Sequence, residues 1–166
     1  KGKVLFSGTP CQVAGLNSFL GKSYDELLTV DIACHGVPAP GLWERYVNAL
    51  EKGAGKKITY VNFRDKSRSW RHYGMSIRFN DGTVSYYRRD KDPYLSLFLQ
   101  NMTLRPSCYE CSFRCGSSGS DITLSDLWSV PDLVPQLNDD KGVSGVSVNT
   151  EKGAAAFAKL LPEFVQ

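Results

Sequence analysis

The stretch Val4-Leu5-Phe6-Ser7-Gly8-Thr9-Pro10-Cys11-Gln12-Val13 decides the fold. Val4 to Gly8 has the length and apolar character of a short buried strand, and Thr9-Pro10 opens a helix at once. Thr9 serves as N-cap, Pro10 takes the first helical position, where its missing N–H costs nothing, and Gln12 stands where a capping box closes. The helix carries Val13, Leu16 and Phe19 and stops at Gly21. Leu27 to Ala33, apolar except for Thr29 and Asp31, predicts a second and central strand. If the two strands are parallel and linked by a right-handed crossover, their carboxyl ends lie on one edge of the sheet.

Past the turn-forming Cys34-His35-Gly36-Val37-Pro38, a helix is predicted over Leu42 to Glu51, with Leu42, Trp43, Tyr46, Val47 and Leu50 on one stripe. The pattern then turns antiparallel. Ile58 to Arg64 and Tyr73 to Phe79 read as strands, Asn80-Asp81-Gly82-Thr83 as a hairpin turn, and Val84 to Arg88 as the return strand. Tyr94 to Met102 predicts a short helix, Asp121 to Trp128 and Gly142 to Val148 two more strands, and Glu151 to Leu161 an amphipathic helix. Gly116-Ser117-Ser118-Gly119-Ser120 is expected to be a mobile loop. The fold class is therefore mixed α/β (α+β): a mixed sheet with flanking helices and an antiparallel hairpin excursion.

At 166 residues and 18.4 kDa the chain suits one domain, spanning 1–166. Its opening, Lys1-Gly2-Lys3 without a methionine, suggests a fragment of a longer polypeptide. A net charge of +3 is too small to argue for nucleic acid, and no apolar run approaches the ~20 residues of a membrane span. Arg88, Arg89 and Lys91 sit together, and a solvated strand end explains them better than a phosphate groove does. An odd number of cysteines, with a C-x-x-C pair, suits a reducing cytoplasm better than a disulfide-stapled exterior.

Three of the five cysteines lie in Cys108-Tyr109-Glu110-Cys111-Ser112-Phe113-Arg114-Cys115. A C-x-x-C pair beside Pro106 and Ser107 presents thiolates to solvent rather than hiding them, and zinc or a [4Fe–4S] cluster normally takes four ligands. Cys11, near the exposed amides of a helix start, and Cys34, after the second strand, would complete the set, and Cys115 is the substitute for either. Taken singly, Cys11 and Cys34 read more readily as small buried hydrophobes than as ligands, and it is the Cys108 loop that turns the balance. His35 is a ligand or simply a hydrogen-bonded turn residue, and His72 looks like surface. Arg64 and Lys66, with Trp70 and Arg71, put cations beside aromatics: either a place for a phosphate or a flavin-like ring, or ordinary solvated charges. Asp121 and Asp126 frame a strand and either bond cofactor hydroxyls or cap turns.

Phe6-Ser7-Gly8-Thr9-Pro10-Cys11-Gln12-Val13-Ala14-Gly15-Leu16, Ala33-Cys34-His35-Gly36-Val37-Pro38, Phe63-Arg64-Asp65-Lys66 and Cys108-x-x-Cys111 together resemble the coenzyme F-420 hydrogenase/dehydrogenase beta-subunit family, in its C-terminal domain. Asp121 to Trp128 and Lys141-Gly142-Val143-Ser144 extend the resemblance. It implies an iron–sulfur flavoprotein, carrying a [4Fe–4S] cluster and a flavin such as FAD. Electrons would pass between a deazaflavin-like or other soluble carrier and an iron–sulfur relay, with a ferredoxin-like domain or iron–sulfur protein as partner. The matching positions make Cys11, Cys34, Cys108 and Cys111 the cluster ligands and put Gly8 and Thr9 in the turn that meets a cofactor. Arg64, Lys66 and Asp126 are the further candidate cofactor contacts. Where the family is expected to carry two glycines, this chain has Ser125 and Ser129. The rival readings are a structural zinc module and a degenerate, non-catalytic interaction platform.

Overall fold

The computed structural model describes residues 2–114 and 116–163. In chain order the elements begin β1 (Val4–Gly8), α1 (Pro10–Leu20), β2 (Leu27–Ile32), α2 (Pro40–Ala54), β3 (Ile58–Asp65), β4 (Gly74–Phe79) and β5 (Val84–Arg88). There follow α3 (Pro93–Leu99), α4 (Pro106–Tyr109), β6 (Ile122–Asp126), α5 (Val130–Leu133), β7 (Ser144–Val148) and α6 (Glu151–Ala158). The mixed α/β class is what the sequence predicts. The single helical turns α4 and α5 are additions: the loop expected around Cys108 is helical for four residues.

The chain divides into two compact units. The first comprises the described residues of Lys1–His35, Glu110–Leu137 and Val143–Gln166. Its sheet has the order β1-β2-β6-β7, with β1, β2 and β6 parallel and β7 antiparallel to β6. The opening motif folds as its residues dictate. Thr9 is extended at φ −72° and ψ 159°, Pro10 starts α1, and Gly21 ends it in the left-handed conformation at φ 65°, where a side chain would be strained. Leu27–Ile32 is one of the two interior strands, in keeping with its composition.

Its interior joins buried apolar side chains (Val13, Ile122, Val130) with a set of polar contacts. Asp121, just before β6 and 4% exposed, accepts at Oδ2 from the Thr29 N–H (2.8 Å) and hydroxyl (2.9 Å) and at Oδ1 from the Thr150 hydroxyl (2.7 Å). Lys152 Nζ stands 3.3 Å from the same carboxylate. A Cβ built on Gly153 would lie 2.3 Å from the Asp121 carbonyl oxygen, so glycine lets α6 close on this point. The Gly116–Ser120 run is also anchored, contrary to the mobile loop expected. Ser118 and Ser120 are buried, with Ser118 donating to Asp31 (2.6 Å) and Ser120 within 3.3 Å of the Thr123 hydroxyl.

The second unit comprises Gly36–Tyr109 and Asn138–Gly142. Here β3, β4 and β5 form an antiparallel sheet with β4 in the centre. Met75, Ile77 and Phe79 alternate along β4 and are buried with Tyr94 and Leu95 of α3, and Leu42, Trp43, Tyr46 and Leu50 of α2 pack on them. Each such fully buried apolar side chain contributes about 1.5–3 kcal/mol. Asp92, fully buried, caps α3 by accepting from the Leu95 N–H (2.8 Å) and also takes the Tyr46 hydroxyl. Burial, then that hydrogen bond, pushes the Tyr46 hydroxyl far above the usual tyrosine range.

Burial acts to raise the Asp121 carboxyl, but the bonds from Thr150 and Thr29 and the Lys152 charge outweigh it and hold the group below its usual value. A carboxyl depressed on folding stabilises the native state above its unfolded pKa of ~3.9 and loses that contribution as pH falls through the folded value. Asp121→Ala is expected to lower the free energy of unfolding by about 2–4 kcal/mol at pH 7, because it leaves buried donors unanswered. Urea denaturation checks this. The gap between wild type and variant should narrow below about pH 4.

Candidate functional site

The parallel register sets Gly8 opposite Asp31 and Asp31 opposite Thr123. Cys11 and Cys34 each follow three residues after the Gly8–Asp31 pair, so both stand at the carboxyl edge of β1 and β2. The crossover expected from the sequence thus brings these two thiols to one edge. Cys11, in the first turn of α1, is exposed, and its Sγ lies 3.2 Å from the Thr9 hydroxyl oxygen. The Gln12 side chain bends back over Gly8. Its Oε1 accepts from the Thr9 N–H (2.8 Å) and hydroxyl (3.1 Å), and a Cβ on Gly8 would meet that oxygen at 2.9 Å. An amide oxygen thereby occupies the acceptor place at the helix start, where an anion is otherwise favoured.

Asp31 reads in the sequence only as an interruption of an apolar strand, and the structure gives it more weight. It is 1% exposed, its Oδ2 takes the Ser118 hydroxyl, and its Oδ1 has no hydrogen-bond partner among the described residues. Buried carboxylate oxygens are rarely left this way, and they concentrate at functional sites. The signal is in the sequence, since an aspartate one position before the end of a central strand carries a desolvation cost that packing alone does not justify.

Cys108 sits on α4 in the second unit, and Cys34 and Cys111 belong to the first. Gly36, two residues after Cys34 in the chain, has φ 131°. Any Cβ there would strike Leu104 at 2.9 and 3.0 Å and come within 3.4 Å of the Cys108 Cβ. The same segment pairs with the residues before α4: Arg105 N–H donates to the Val37 carbonyl (2.8 Å) and Ala39 N–H to the Thr103 carbonyl (2.9 Å). Gly36 therefore lets the turn bearing Cys108 close on it. Cys34, Cys108 and Cys111 are half-buried, and none of the four described cysteines is in a disulfide. Cys115 lies outside the described residues. Among the described residues, no group of three or more His, Cys, Asp and Glu side chains is gathered as metal ligands. The thiols suit a thiolate-bound metal or cluster in kind, being reduced and at least partly accessible.

The other candidates are dispersed. Asp126 ends β6 opposite Ser144, half-buried. Ser125 donates to the Gly145 carbonyl at 3.4 Å. Arg64 lies near the end of β3 in the second unit with its guanidinium 4.9 Å from the Tyr73 ring centroid, and Lys66 is exposed just beyond. Trp70 is no stacking surface, because it is 4% exposed and covered by Gly142, whose Cβ position lies 2.3 Å from the indole nitrogen. His35 and His72 are both exposed.

The fold and these strand ends define a mixed α/β domain with thiols at the carboxyl edge of a parallel strand pair. The chain belongs to the family described as the C terminus of the coenzyme F420 hydrogenase/dehydrogenase beta subunit, whose sequence model matches residues 1–164. That membership relates it to oxidoreductase beta subunits. A search of curated proteins found no match. Among the described residues, no helix is long and apolar enough to cross a membrane.

Exposure ranks the thiols chemically. Iodoacetamide under native conditions is expected to alkylate Cys11 first among the four, read by peptide mass spectrometry over time. Equal or faster labelling of Cys34, Cys108 or Cys111 would contradict the ranking.

Proposed function

We propose that this chain is an iron–sulfur flavoprotein domain that carries electrons between a soluble carrier of the deazaflavin kind and an iron–sulfur relay. Cys11, Cys34, Cys108 and Cys111 are its cluster ligands in this reading. The single observation that supports it most is the arrival of Cys11 and Cys34, 23 residues apart in sequence, at one edge of adjacent parallel strands. In open α/β sheets that edge is where ligands collect. A flavin would supply the exchange between a two-electron donor and one-electron acceptors.

The chain's own residues have separable tasks. Gly8 leaves the space and Thr9 the donors at the start of α1, and Gln12 Oε1 marks where a phosphate oxygen of the flavin would be received. Arg64 and Lys66 offer positive charge, and Asp126 offers an acceptor for cofactor hydroxyls. Gly36 holds the Cys108 turn in place. The working site is cytoplasmic in this reading, with a ferredoxin-like domain or iron–sulfur protein as the electron partner.

Anaerobic purification followed by iron, sulfide, zinc and flavin analysis tests the proposal. Expected are iron and sulfide in about equal amounts and broad absorption near ~400 nm that bleaches with dithionite. Cys108→Ala should abolish that absorption or cut it several-fold. A colourless protein with stoichiometric zinc would instead make the thiols a structural metal site. Cofactor content unchanged by Cys108→Ala would leave only a binding platform.

A further inference from the structure

We infer that the second unit carries a separate binding site for a phosphoryl group, a cavity at the end of the hairpin sheet with Arg89 as its charged ligand. The β4–β5 register sets Gly74 against Arg88, so the Arg88-Arg89-Asp90 turn lies beside His72 and Tyr73. These five residues line a cavity of about 190 Å³. That is smaller than the ~300–1,000 Å³ of pockets for ring-bearing ligands, and it suits a phosphate or pyrophosphate. The sequence favours a solvated strand end for Arg88, Arg89 and Lys91 over a phosphate groove, and the hairpin register adds a concavity beside two of them.

The charges in the cavity are not equivalent. Arg88 is committed to Asp90 through two bonds of 2.9 Å, Nε to Oδ1 and Nη2 to Oδ2, so one carboxylate answers its charge. Arg89 has no carboxylate partner among the described residues. Its guanidinium stands 5.2 Å from the centroid of Tyr73, a buried ring that is itself a fixed wall. Stacking on an aromatic face leaves the in-plane N–H fork of a guanidinium directed outward, and that fork matches phosphate oxygens. Asp65 receives the Ser67 N–H (2.9 Å), and Asp140 the Ser69 hydroxyl (3.0 Å) and Arg71 N–H (3.3 Å), so the bonds these two carboxylates make are to groups other than Arg89. No thiol takes part, so this site stands or falls apart from the electron-transfer reading.

The test is calorimetric titration of the purified chain with inorganic phosphate, inorganic pyrophosphate and ADP at constant ionic strength. Saturable one-site binding of pyrophosphate is expected, and Arg89→Gln should weaken it about tenfold or more. Arg89→Lys, which keeps the charge and loses the fork, should fall between. Circular dichroism melting checks that both variants fold, and if Arg89→Gln does not, the lysine variant carries the comparison. ADP binding tighter than pyrophosphate identifies a nucleotide as the source of the group, and equal binding identifies the phosphoryl group alone. The inference is overturned by no saturation below about 10 mM pyrophosphate, by wild-type affinity in folded Arg89→Gln and Arg89→Lys, or by sodium chloride displacing pyrophosphate at equal ionic strength.

Discussion

The Asp121 carboxylate is the interaction on which the first unit depends. It binds the central strand through Thr29, the cap of α6 through Thr150, and the first turn of that helix through Lys152. Its backbone joins in, donating to the Thr29 carbonyl (3.0 Å) and accepting from the Asn149 N–H (2.9 Å). One residue thus aligns β2 with β6 and fixes where α6 begins. A carboxylate can do this in an interior only because its inward-pointing lone pairs meet donors. The carboxyl edge bearing Cys11 and Cys34 inherits its geometry from that alignment, since β2 must keep its register to carry Cys34 to the end of β1.

The opening motif was legible because its signals are local. A threonine, a proline and a glutamine at capping positions specify a helix start whatever surrounds them, and Gly21 specifies its end. The hairpin was legible for the same reason, through Asn80-Asp81-Gly82-Thr83 between two alternating strands. Ser118 and Ser120 were not. A glycine–serine run reads as slack chain, and only the tertiary fold supplies Asp31, Thr123 and Asn149 as partners for its hydroxyls. Trp70 was left open by its neighbours in sequence, since an aromatic among cations suits a surface stack or a plain strand end alike, and Gly142, far along the chain, lies against its buried indole.

The candidate site divides along the same line. Cys11 and Cys34 at one strand edge followed from two strands and a crossover rule. The function of Gly36 did not, since neither its positive φ nor the closeness of Leu104 and Cys108 beside it is written in the local sequence. Arg88 and Arg89 are adjacent in sequence and chemically identical, yet one is matched by a neighbouring aspartate and the other faces a cavity. That distinction arises from the register of β5 on β4 and from the placement of Tyr73, neither of which a run of basic residues announces.

The two interiors also differ in kind. Among the described residues, the buried side chains of the first unit include Thr29, Asp31, Ser118, Ser120 and Asp121, while those of the second are mainly Met75, Ile77, Phe79, Tyr94 and Leu95. Exposure of apolar surface raises heat capacity and exposure of polar surface lowers it. The apolar core of the second unit, hairpin and helices together, therefore adds to the curvature of stability with temperature. On cooling, it is the attraction within that core that fades, while the hydroxyl and carboxylate contacts beneath the thiol-bearing edge keep more of their strength.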